Sequence, residues 1–317
     1  MNSKKVFGKI IKVLPAVILL AFLYFVYRNF DRITSLLRIS PRSIVILALL
    51  VLAGFIVLGL QNLILYRRFN VRLSLNESVG LAVLNSISTF LAPGGGLMVK
   101  GLYLKIRHFL ALQYFISSAT VLFVCYIGVG GLIGLASTGV LEITEHRPHS
   151  AYLLYGFALM TAASVFIWVP LDRLWLPWAV RKRLALLGQG WGVLSRSPGM
   201  LLQQVLLQGL SMLLIAGRLY FAFHILSQEV LLVHGLLFSA ASILTRLVVF
   251  VPGGLGVREG LVAGVAALLG FDPELSVLAA GIDRLVATLV ILVLACFQGY
   301  LLKEAPQAVP PNPDGGK

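Results

Sequence analysis

From Phe109 to Leu141 no side chain carries a charge. Eight further uncharged runs recur along the 317 residues, at 13–27, 44–66, 78–99, 150–171, 199–217, 230–245, 260–271 and 285–302. A helix that crosses the hydrocarbon core of a bilayer needs about 20 apolar residues, so a chain cut this way reads as a series of membrane helices. Composition agrees: 59% of residues are hydrophobic and 12% charged, with a mean hydropathy of +0.94, whereas soluble domains carry roughly a quarter charged residues. A soluble enzyme, a secreted disulfide scaffold and a disordered chain are excluded. The 26 Lys and Arg against 12 Asp and Glu leave a net +14. On a soluble protein that excess points to nucleic acid; here it belongs to membrane loops, and no nucleic-acid partner is expected.

Two runs are interrupted in the same way. Run 78–99 contains Pro93-Gly94-Gly95-Gly96, and the pair 230–245 and 260–271 is split by Arg246 and Pro252-Gly253-Gly254-Leu255-Gly256. Proline ends a helix and glycine admits left-handed backbone, so each should break its helix at membrane depth. If both segments are re-entrant, the cytoplasmic side holds Lys4, Lys5, Lys9, Lys12, Arg67, Arg68, Arg72, Lys100, Lys105, Arg107, Arg173, Arg181, Lys182, Arg183, Arg196, Lys303 and Lys317. The outer side then holds Arg28, Arg32, Arg38, Arg42 and Arg147. That bias obeys the positive-inside rule, and it reverses if the first broken segment crosses fully.

Aligning Pro93 with Pro252 sets Gly94-Gly95 on Gly253-Gly254, Lys100 on Glu259 and Gly101 on Gly260. The first copy enters from the cytoplasm and the second from outside, the inverted repeat of a secondary transporter. The expected fold is an all-α polytopic membrane protein of about six full transmembrane helices plus two re-entrant or broken Pro-Gly hairpins. It forms one integral membrane domain over 1–304, with a first repeat at about 44–141 and a second at about 199–302. Both termini face the cytoplasm, in the inner membrane. The basic N-terminus leads into an uncleaved first span, because no small-x-small site follows Tyr27. Loop 172–198 combines its basic residues with Trp175, Trp178 and Trp191, next to Trp168, and anchors at the cytoplasmic interface. The Pro- and Gly-rich tail 305–317 is expected to be disordered.

Ionisable groups at membrane depth are costly and are functional candidates by default. They are Arg246, Arg258, Glu259, Asp283 and Arg284, with Lys100 at the edge of the first break and Arg218 near the outer end of its span. Arg258 and Glu259 open the helix released by the glycine turn, where free N–H groups and the helix dipole suit a phosphate or carboxylate. Arg246 beside Arg258 would complete an anion site. Asp283 and Arg284 could pair with Arg258 and Glu259, and an ion-pair network pinning the hairpin is the alternative to ligand binding. Arg218 is expected to snorkel to the interface. Cys125 and Cys296, without a C-x-x-C pair, read as buried small hydrophobes. Small-xxx-small spacing at Gly130–Gly134 and Gly260–Gly264 hints at close helix packing. The sequence has no H-E-x-x-H, Walker A loop or Asp-x-Asp pair, and no cofactor or metal is expected; His146 and His149 are the one weak metal candidate.

The run Val251-Pro252-Gly253-Gly254-Leu255-Gly256-Val257-Arg258-Glu259-Gly260 resembles the signature of the lysylphosphatidylglycerol synthase transmembrane-region family. The wider layout is similar too, down to Asp283-Arg284 downstream. The resemblance implies a region that moves phospholipids, often aminoacylated, between leaflets; other relatives are linked to hopanoid lipids or glycosyl transfer. Here the first motif stays neutral until Lys100, and no soluble domain follows Leu302, so the aminoacyl-transferase part is not expected. The leading reading is a flippase-like protein with no catalytic residue. It binds an anionic phospholipid headgroup through Arg246, Arg258, Glu259, Asp283, Arg284 and Lys100, with Pro93, Gly94, Gly95, Pro252, Gly253, Gly254 and Gly256 as hinges. An enzyme or subunit acting on a lipid-linked sugar, or a structural partner of a lipid-synthesising enzyme, remain the other readings.

Overall fold

The computed structural model describes residues 41–91, 94–145, 150–167, 197–247 and 252–304. The expected first span at 13–27, the basic loop up to residue 196, Pro93, His146, His149 and the tail 305–317 lie outside the described residues. Every regular element among the described residues is helical. They are α1 (Pro41–Arg67), α2 (Leu75–Leu91), α3 (Gly95–His108), α4 (Leu112–Glu145), α5 (Ser150–Ile167), α6 (Pro198–Ile225), α7 (Leu232–Ser242), α8 (Val257–Leu268) and α9 (Pro273–Glu304). Tight 3-10 turns at Ile243–Leu247 and Pro252–Gly254 separate α7 from α8.

Three of the four long helices open on proline, whose missing N–H costs nothing in the first turn; these are α1, α6 and α9. The Asp272 carboxylate accepts the Glu274 N–H at 2.8 Å and caps α9. Among the described residues four helices are long and apolar enough to cross a membrane: α1, α4 over Leu112–Thr144, α6, and α9 over Pro273–Phe297. The chain is a multi-pass membrane protein. The apolar stretches Ala151–Val165 in α5 and Leu232–Arg246 are shorter. Outward faces are apolar, as lipid requires. On α9, Leu285, Leu289, Leu292 and Val293 are exposed at helical spacing while Asp283 on the other side is fully buried.

The last helix begins at Pro273, well before the uncharged run at 285, and α6 continues past Arg218 to Ile225. In both places the charges that end the uncharged run are paired inside the protein, so they do not end the helix.

The order of elements recurs. Helix α1, broken pair α2–α3 and long helix α4 are followed, after α5, by helix α6, broken pair α7–α8 and long helix α9. Helices α1 and α6 lie against each other. The first broken pair packs through α2 on α9, and the second packs through α7 on α4. Each broken pair therefore rests on the long helix of the opposite half. The two breaks also meet. A Cβ at Gly253 would run into the Phe90 ring, one turn before the first break.

Two smaller expectations are corrected. Cys125 is buried against Leu65, Val121 and Met200, but Cys296 is exposed on the outward side of α9. Gly130 and Gly134 pack closely against Ile243 and Phe157, whereas Gly260 and Gly264 have open space above them.

Candidate functional site: a charged lock and a polar seam

The second break is built from glycines in left-handed backbone: Gly253 at φ 60°, Gly254 at φ 61° and Gly256 at φ 76°. Its counterpart in the first half is Gly94 at φ 70°, at the position the alignment of the two motifs assigns to Gly253. Only glycine adopts such angles freely. Irregular backbone within a membrane must be satisfied by protein groups, and here Arg284 and Glu259 do so. Arg284 donates through Nη2 to the carbonyls of Gly253 and Gly254 at 3.0 and 3.2 Å. Glu259 accepts the Gly256 N–H at 2.9 Å, one half of a capping box at the start of α8. Arg284 Nε lies 3.0 Å from Glu259 Oε1, which joins the two groups.

Asp283, next along α9, is the centre of a second set of ion pairs. Arg218 on α6 grips both its oxygens, Nε to Oδ1 at 2.7 Å and Nη2 to Oδ2 at 2.9 Å. Arg258 on α8 reaches Oδ2 at 2.7 Å. Asp283 is 0% exposed and Glu259 3%, so each carboxylate carries a desolvation cost that its arginines offset. Among the described residues three arginines face two acids, a surplus of one positive charge, and Arg284 Nη1 is buried with no hydrogen-bond partner there.

The pairing of Arg258 with Asp283 and of Arg284 with Glu259 follows the expectation from the sequence. Two placements do not. Arg218 turns inward to Asp283 instead of snorkelling, because its bidentate partner offers more than partial hydration at a membrane surface. Arg246 does not join Arg258. Its guanidinium stacks 3.8 Å from the centre of the Tyr126 ring on α4. The amino end of α8 is likewise not left open for a ligand: the Glu259 carboxylate occupies it.

A polar seam runs beside this lock, and sequence reasoning missed most of it. Gln61 donates to Gln208 Oε1 at 3.2 Å, and Gln204 donates to the Gln61 carbonyl at 2.9 Å, joining α1 to α6. The Tyr126 hydroxyl reaches Gln61 at 3.3 Å. Lys100 on α3 is buried, donates to Asn62 Oδ1 at 2.6 Å and lies 5.3 Å from the Tyr66 ring. The available signal was amide side chains inside apolar spans: Gln204, Gln208 and Ser211 recur on one face of α6. One turn further along α1 a cleft of about 380 Å³ opens between α1 and α6, lined by Leu63, Ile64, Arg67, Arg68, Met200 and Gln203.

A further buried cluster closes the open end of the first broken pair. Glu77 accepts the Tyr103 hydroxyl at 2.8 Å and lies 2.7 Å from His108 Nε2, tying α2 to α3. Burial raises the Glu77 carboxyl, but the bonds from His108 and Tyr103 and the His108 charge outweigh it and hold the group below its ordinary value.

No curated protein matches the chain, and no solved structure does. The family model described as the lysylphosphatidylglycerol synthase TM region matches residues 10–295, the span that contains both breaks, the lock and the seam. The chain belongs to that family of membrane domains associated with lipid handling.

Proposed function

We propose that the protein binds an anionic phospholipid headgroup between two inverted halves of the inner membrane domain and assists its transfer between leaflets. The exchanged packing carries this reading: each broken pair rests on the long helix of the opposite half, so a tilt of one half moves the other half's break. Proteins built this way bind at the centre and alternate access by rocking. Flexibility is expected at Gly94 and Gly95 and at Pro252, Gly253, Gly254 and Gly256. Arg258, Glu259, Asp283 and Arg284 form the lock between α6, α8 and α9, and their surplus positive charge favours an anion nearby. Both termini face the cytoplasm.

Reconstitution of the full chain into liposomes with fluorescently labelled anionic lipid is the test. Wild type should equilibrate the label between leaflets faster than empty vesicles, and Arg258→Ala should slow that by roughly tenfold or more, the worth of one charge-assisted contact. Equal rates for wild type and empty vesicles would sink the proposal.

A further inference from the structure

Lys100, buried on α3, and Arg246, exposed in the turn before the second break, are basic residues that the lock leaves over. Among the described residues the ion pairs of His108 with Glu77, of Arg218 and Arg258 with Asp283, and of Arg284 with Glu259 involve neither of them. Both are held by neutral groups instead, Lys100 by Asn62 and Tyr66 and Arg246 by Tyr126. They belong to one constellation. Asn62 adjoins Gln61, and Gln61 is bonded to the Tyr126 hydroxyl beneath the Arg246 guanidinium. The two charges are close enough to repel one another.

Such an arrangement is costly without an anion. A buried ammonium such as that of Lys100 is normally paired with an acid, and a like-charge neighbour adds to the penalty. Stacking on Tyr126 engages the face of the Arg246 guanidinium, whose N–H donors lie along its edge. A guanidinium edge and an ammonium together suit the oxygens of a phosphate, the first by paired donors and the second as a point charge. Position supports the same occupant. Lys100 lies on α3 of the first half and Arg246 in the turn before the second break, so one phosphate held by both would join the halves.

We infer that Lys100 and Arg246 together form the phosphate-binding site of the protein, at the junction of the two halves, with Arg258, Glu259, Asp283 and Arg284 serving to hold the second break. This rests on the proposed lipid reading for the source of the phosphate, since a free phosphate ion offers the same oxygens.

The test separates site, source and transfer. Full-length protein is placed in phosphatidylcholine nanodiscs doped with phosphatidylglycerol, and bound anionic lipid is counted by native mass spectrometry. Separately, inorganic phosphate is titrated against the thermal midpoint in detergent. Wild type should retain phosphatidylglycerol, and K100M and R246Q should each weaken retention by about tenfold, the worth of one charge-assisted contact. Lipid-free R246Q should melt no lower than wild type, because removing that charge relieves the repulsion. Arg246 is exposed, so R246Q tests the site even if K100M fails to fold. Retention unchanged in R246Q would overturn the inference while leaving lipid transfer intact. Retention lost in R246Q without any transfer by wild type would support the site and overturn the transfer reading. A thermal shift with inorganic phosphate but no retained lipid would overturn the lipid as its occupant.

Discussion

Asp283 accepts hydrogen bonds from two arginines on two different helices, which makes it the residue whose loss should be felt most. Asp283→Asn leaves Arg218 and Arg258 facing a neutral amide in a buried site. Breaking a buried ion pair from one side costs about 3–5 kcal/mol, so the thermal midpoint in detergent should fall steeply. Adding Arg218→Gln to Asp283→Asn should recover part of that loss, since it removes one of the two orphaned charges; a double variant less stable than the single would contradict the assignment. At this scale the sequence was most informative where charges are scarce. Arg258, Glu259, Asp283 and Arg284 stand in otherwise uncharged surroundings, and scarcity limits whom each can pair with. Arg218 was misread because its distance from the membrane surface was taken from the end of an uncharged run. Its partner lies 65 residues away, a relation that no local pattern contains. Gln61, Gln204 and Gln208 went unnoticed for a related reason: amides do not interrupt a run defined by charge.

Elements were legible through their breakers. Pro93 and Pro252 with the glycines after them placed both interruptions, and Gly94 and Gly253 share left-handed backbone as the alignment of the two motifs implies. Helix ends were less legible, because α6 and α9 run through charges that their neighbours neutralise. Gly253→Ala should be doubly unfavourable. The left-handed angle costs an L-residue about 1–2 kcal/mol, and its Cβ would press on Phe90. Truncating Phe90 to Ala in the same chain should relieve the second penalty and leave the first, a difference readable in thermal midpoints. The end of the first broken pair allows a test by pH. The Glu77 carboxyl is held below its ordinary value of 4.5 in the folded protein. Its contribution to stability is therefore complete above that value and is lost as the pH falls through the lowered one. The difference in thermal midpoint between wild type and Glu77→Gln should shrink as the pH falls below about 5. A constant difference down to pH 3 would show that the Glu77–His108 contact contributes nothing as an ion pair.

For the whole molecule, composition settled the membrane class and the two Pro-Gly motifs suggested two related halves. Which helix each broken pair would rest on was beyond reach, since α2 and α7 are both apolar segments with several neighbours able to bury them. The choice is made by shape and by a few polar contacts that exist only after folding. Phe90 meets Gly253, and Lys100 reaches Asn62. The function proposed for the lock and the seam likewise depends on this arrangement, because Lys100 and Arg246 lie in different halves and are far apart in the sequence.

Exchanged packing also sets a timetable for making the protein. Helix α2 ends at Leu91, but α9, on which it rests, begins only at Pro273. At about 5–20 residues per second of translation, α2 has to wait roughly 10–40 s in the membrane before its support is synthesised. During that interval its inner face must lean on lipid, on α1 or on an insertion factor. The newborn first half is thus the stage at which the chain is most open to quality-control proteases, and a ribosome that stops before Pro273 leaves a product that cannot complete its own interior.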